Sequence, residues 1–109
     1  MQVLFESRDP EALALRDLVV RRARFVMRRL VRLVPRARVC FTDVNGPRGG
    51  VDKRCQVELR GAASGPVIVT SVARDWHSAL DAALARAARA LLRLSQRERR
   101  HRRPLPFPL

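Results

Sequence analysis

The sequence predicts an α+β fold: a two-layer sandwich in the order β-α-β-β-β-α, with a four-stranded sheet carrying two helices on one face. Three observations predict it. Two long segments, one ending before Pro35 and one starting after Asp75, place apolar residues at spacings of three and four. Shorter runs alternate apolar and polar residues, and glycine-containing connections separate them. With 109 residues, 47% of them apolar, the chain suffices for one packed domain and is too short for two ordinary ones.

The elements follow in order. Residues 2–6 alternate weakly and carry β-formers, which predicts a first strand. Asp9-Pro10-Glu11 marks a helix start. Asp9 can cap free backbone N–H groups, Pro10 suits the first helical position, and Glu11 sits near the positive dipole end. This helix is expected to run to about Leu33, because the residue before Pro35 is pushed out of the α region. Its apolar stripe is Leu15, Val19, Ala23, Val26, Leu30 and Leu33, and Arg21, Arg24, Arg28 and Arg32 form a cationic ridge opposite.

Residues 38–43 read as a second strand with Val39 and Phe41 on one face, followed by a glycine-rich connection at 44–52. A third strand spans 53–60, with Cys55, Val57 and Leu59 alternating against Arg54, Gln56, Glu58 and Arg60. After a turn at 61–66, residues 67–72 form a fourth. Asp75 is the expected N-cap of the last helix, 76–95, whose stripe is Leu80, Ala83, Leu84, Ala87, Leu91 and Leu94. Arg86, Arg89 and Arg93 line its outer side. The domain is expected to cover residues 1–95, and residues 96–109 to form a basic, Pro-rich, mobile tail. The first helix is long enough for a right-handed crossover, so the first two strands pair in parallel and the rest form an antiparallel meander.

Lys and Arg number 23 against 10 Asp and Glu, for a formal charge of +13 and a pI near 11.8. Such a charge attracts a polyanion, nucleic acid first and an anionic membrane surface second. Lys53 is the sole lysine. Arginine forks match phosphate oxygens and stack on bases, which suits RNA, although a GC-rich genome produces the same bias. Two cysteines without C-x-x-C spacing fit a reducing compartment. No signal peptide and no membrane span is expected, so the protein is predicted to be soluble and cytoplasmic.

No catalytic constellation assembles, and no enzyme is predicted. His77 lies in the first turn of the last helix and His101 in the tail. Asp43 and Asp52 bracket the glycine-rich loop, where they either fix turns or bind a cation; turn-fixing is the commoner role. Cys55 is in phase with its apolar neighbours, whereas Cys40 is out of phase with Val39 and Phe41. Residues 45–50 lack phosphate-loop spacing, leaving only Arg48 as a possible RNA-backbone contact. No cofactor, metal or small-molecule substrate is expected. There is no tyrosine, and Phe5, Phe25 and Phe41 read as core residues and Trp76 as packing. With no base-stacking platform, binding should rest on phosphate contacts and shape.

Asp43-Val44-Asn45-Gly46-Pro47-Arg48-Gly49-Gly50-Val51-Asp52-Lys53-Arg54-Cys55, the strand order, and a closing helix with Asp75 followed by Ala79-Leu80-Asp81 resemble the bacterial ribosome hibernation factors. These comprise the hibernation-promoting factor and protein Y group, also known as sigma-factor modulation proteins. The resemblance covers roughly residues 1–95 and is to the short form. It implies binding to 16S-type rRNA of the small ribosomal subunit, in the cleft between head and body where mRNA and tRNA sit. Occupying that cleft blocks translation and protects idle ribosomes. Basic residues on the helices would face the rRNA: Arg21, Arg24, Arg28, Arg32, Arg86, Arg89 and Arg93, with Lys53 and Arg54 secondary. Dimerisation through the C-terminal domain of long members is not expected. Arginines where relatives carry lysines, His77 after Trp76, and the Pro-rich tail depart from the family pattern. The rival from another class is a protein-binding regulator using the same basic surface. A membrane-surface protein and an RNA-degrading enzyme are further rivals; the first would need the apolar helix face for lipid, and the second lacks an evident acid and base.

Overall fold

In the computed structural model, which describes residues 1–34, 36–44, 52–61 and 65–102, four strands form one sheet in the order β1-β2-β3-β4. The elements are β1 (Gln2–Ser7), α1 (Pro10–Leu13), α2 (Arg16–Val26), β2 (Arg36–Asp43), β3 (Lys53–Arg60), β4 (Val67–Ala73) and α3 (Trp76–Arg102). β1 pairs in parallel with β2, and β2–β3 and β3–β4 pair antiparallel. This is the predicted α+β order.

The register explains which face is buried. Phe5 lies opposite Val39, Val39 opposite Val57, and Val57 opposite Val69, so one apolar row crosses all four strands. All four residues are buried, whereas their strand neighbours Leu4, Arg38 and Ile68 are exposed on the other face. α3 covers β3 and β4, and α2 covers β1. Ala79, Leu80, Ala83, Leu84, Ala87 and Leu91 make the inward stripe of α3. Three aromatic rings join the layers: Phe5 meets Phe41 edge-on at 5.0 Å, and Phe41 stacks on Trp76 at 4.8 Å.

Both helix starts form as the sequence indicates. Asp9 Oδ1 accepts from the backbone N–H of Glu11 at 2.8 Å and of Ala12 at 3.4 Å, and Pro10 opens α1. Asp75 Oδ1 accepts from the N–H of Ser78 at 2.7 Å, and its Oδ2 accepts from Ser78 Oγ at 2.9 Å.

The single helix expected up to Leu33 is instead divided. It breaks at Ala14 and Leu15, resumes as α2, and ends at Val26. Bonds between residues three apart mark both interruptions: Leu15 to Ala12, Arg28 to Phe25, Leu30 to Met27 and Leu33 to Leu30. At the second, the Phe25 carbonyl accepts both the Arg28 N–H at 3.4 Å and Arg28 Nη1 at 2.8 Å. The i+4 amide thus faces an occupied acceptor. The buried line becomes Ala12, Val19, Ala23, Met27, Leu30 and Val34, with Leu15, Val26 and Leu33 only partly covered.

α3 continues past residue 95 to Arg102, so part of the expected tail, including His101, is helical. Arginine, leucine, glutamine and glutamate are good helix formers, and no proline intervenes before Pro104. At 27 residues α3 is about 40 Å long. Strands of six to eight residues span about 20–27 Å, so the last turns of α3 outreach the sheet. The expected loop at 45–50 with Arg48, and the Pro-rich end at 103–109, lie outside the described residues.

Candidate nucleic-acid interface

The arginines named from the sequence occupy three different places. Arg21 and Arg24 project from α2, and Arg28 and Arg32 from the turns after it; Arg86, Arg89 and Arg93 project from α3. All seven are exposed. Among the described residues, the ion pairs are Arg22–Asp81, Arg38–Glu6, Arg60–Glu58, and Lys53 with Asp43 and Asp52, so none of the seven belongs to one. Three of them donate to neutral carbonyls: Arg21 Nε to Asp17 at 3.4 Å, Arg28 Nη1 to Phe25 at 2.8 Å, and Arg86 Nη1 to Thr70 at 2.9 Å. Those bonds orient the guanidinium groups without cancelling their charge.

The two ridges lie toward different sides of the helical layer. Arg22 bonds Asp81 on α3 at 2.7 Å, which fixes the side of α2 that faces its neighbour. At 100° per residue, Arg21 points outward and Arg24 away from α3. Arg86 bonds a β4 carbonyl, so its ridge leans toward the sheet edge. Mutual repulsion is thereby reduced, and the basic surface is broadened.

Lys53 and Arg54 point to opposite faces of the sheet, because neighbouring strand residues alternate. Lys53 Nζ lies 2.7 Å from Asp43 Oδ2 and 3.8 Å from Asp52 Oδ1, and 5.3 Å from the Trp76 ring centroid. The hydrogen bond to Asp43 holds its ammonium above the ordinary lysine value, against a smaller opposing effect of burial. Asp52 is buried at 1% exposure, with Oδ2 unpartnered. Arg54 pairs in register with Thr42 and Val72 on the open sheet face. That face also carries Arg36, Arg38 and Arg60, but Glu6 and Glu58 are interleaved and engage Arg38 and Arg60. The uncompensated charge therefore gathers on the helical layer.

Burial pushes the Cys55 thiol up to about 12, which leaves it protonated at neutral pH. Among the described residues, no group of His, Cys, Asp and Glu is placed to hold a metal ion. No helix among them is long and apolar enough to cross a membrane.

One aromatic residue departs from the predicted core. Phe25, expected in the core, is 58% exposed on α2, and the Arg28 guanidinium carbon sits 4.2 Å from its ring centroid. The signal was present in the sequence: Phe25 is out of phase with Val19, Ala23 and Leu30, and lies beside Arg24.

No family model matches the sequence, and no curated protein matches it. Solved structures do match in fold. A ribosomal subunit interface protein from Coxiella burnetii superposes with a TM-score of 0.66 at 14% identity, over 88% of this chain and 99% of that one. The N-terminal domain of Thermus thermophilus Protein Y superposes with a TM-score of 0.63 at 21% identity, over 86% of this chain and 99% of that one. The chain thus carries the fold of a ribosomal subunit interface protein and of the Protein Y N-terminal domain.

Proposed function

We propose that this chain is a ribosome-associated hibernation factor of the protein Y group: a cytoplasmic, non-enzymatic protein that binds rRNA of the small subunit. In this proposal it fills the mRNA/tRNA cleft and inhibits translation by steric occlusion. The observation that carries the proposal is the set of seven exposed arginines on the helical layer, none in an ion pair among the described residues, on a fold shared with a ribosomal subunit interface protein. Clustered guanidinium groups without carboxylate partners favour a polyanion, and phosphate oxygens accept their bidentate bonds. Arg21, Arg24, Arg28 and Arg32 would hold one side of the rRNA surface, and Arg86, Arg89 and Arg93 the other. Lys53 would act chiefly by positioning the strand end, and Arg54 would serve only where RNA reaches the open sheet face.

The test is sedimentation with purified ribosomal subunits through a sucrose cushion at low and moderate salt. The protein should pellet with the small subunit at low salt and be released when mRNA and initiator tRNA are bound beforehand. Recovery in the supernatant at low salt would reject the proposal. In that case, capture of an acidic protein from nuclease-treated lysate would favour a protein-binding regulator.

A further inference from the structure

We infer that Phe25 is a base-stacking site, the ring that receives an unpaired nucleobase of the RNA whose phosphates the surrounding arginines bind. This inference rests on the RNA-binding proposal above and adds a contact that phosphate recognition alone does not need. The other aromatic side chains among the described residues, Phe5, Phe41 and Trp76, form one buried stack. Phe25 stands apart at 58% exposure, while α2 packs on the core through Val19 and Ala23. An exposed apolar side chain needs no partner by itself; what sets Phe25 apart is a planar π-face beside a guanidinium group on a basic surface.

The surroundings specify that partner. Arg21, Arg24 and Arg28 are exposed on the same helix or directly after it, and none is ion-paired among the described residues. Arg28 is held against Phe25 by two contacts: Nη1 donates 2.8 Å to the Phe25 carbonyl, and the guanidinium carbon sits 4.2 Å from the ring centroid. The guanidinium thus lies over the ring, and the remaining exposed ring surface is available to a second planar group. A nucleobase stacked there would complete a guanidinium–phenyl–base arrangement, with its phosphate within reach of the ridge. The ligand class is a single-stranded or loop nucleotide, tolerant of base identity because every base presents a π-face.

The experiment is an anisotropy titration of the full chain with a short oligoadenylate and with an abasic strand of equal length and charge, at two salt concentrations. The native protein should prefer the base-bearing strand by about 5- to 100-fold. Phe25→Leu, an exposed substitution that leaves the core intact, should lose this preference without changing the salt dependence; Phe25→Trp should keep it. Equal affinity of the native protein for both strands, or an undiminished preference in Phe25→Leu, would overturn the stacking site and leave the arginine surface standing. Failure to bind either strand or the small subunit at low salt would overturn both. If Phe25→Leu instead impaired binding to anionic vesicles and left RNA binding intact, the ring would be a lipid contact, and the inference would be wrong.

Discussion

Cys40 and Cys55 sit on adjacent strands but on opposite faces of the sheet, and their accessibility diverges accordingly. Cys55 is buried, and that burial pushes its thiol up to about 12. A maleimide should therefore modify one thiol per native molecule, at Cys40, and reach Cys55 only in denaturant; mass spectrometry of the native and unfolded products checks this. Asp75 shows the opposite shift. Hydrogen bonds from the Ser78 backbone and side chain hold its carboxyl below 3.8. A lowered folded value means that the stabilisation is present above 3.8 and fades as pH falls through the folded value. The difference in Tm between the native chain and Asp75→Asn should follow that course; a difference independent of pH would exclude the cap charge as its source.

At the scale of elements, legibility depended on what the sequence pattern could encode. β3 was readable to the residue because Cys55, Val57 and Leu59 alternate without a break. The division of the first helix was not, because spacings of three and four look alike whether the carbonyls accept from i+3 or i+4. The tail lacks periodicity and carries alternating prolines, which predicts irregular chain from residue 96; arginine itself favours a helix, and α3 continues as far as Arg102. The placement of the arginine ridges on two flanks depended on Arg22 meeting Asp81, a contact across 59 positions that no local pattern records. The core contacts carry different weights. Leu84 is fully buried on α3, so Leu84→Ala should cost about 2–5 kcal/mol in denaturant unfolding. Asp9→Ala removes a cap from the short α1 and should cost only about 1 kcal/mol. If the two losses were equal, α3 would not be the principal lid on the sheet.

For the whole molecule, the decisive asymmetry is electrostatic: among the described residues, acidic partners engage cations at the sheet face and sheet end, while on the helical layer Arg22 alone is ion-paired, with Asp81, and the seven ridge arginines keep their charge. Neutralising phosphates with that layer would release counterions, so binding to the small subunit should weaken steeply with salt. Engagement of all seven arginines corresponds to a log–log slope of about −5 to −6. The paired substitution Arg28→Glu with Arg89→Glu should reduce both the slope and the affinity, read by cushion sedimentation across a salt series. An unchanged slope would move the contact surface away from the helices.

The clamp around Lys53 has a chemical consequence of its own. It holds the only side-chain primary amine of the chain against Asp43, at 20% exposure and with its proton retained more firmly than usual. A protonated amine is not a nucleophile. Acetyl donors and succinimidyl esters should therefore modify Lys53 more slowly than a freely exposed lysine, and faster once the strand end opens. The positive charge of the helical layer, carried by guanidinium groups, lies beyond the reach of lysine acylation altogether.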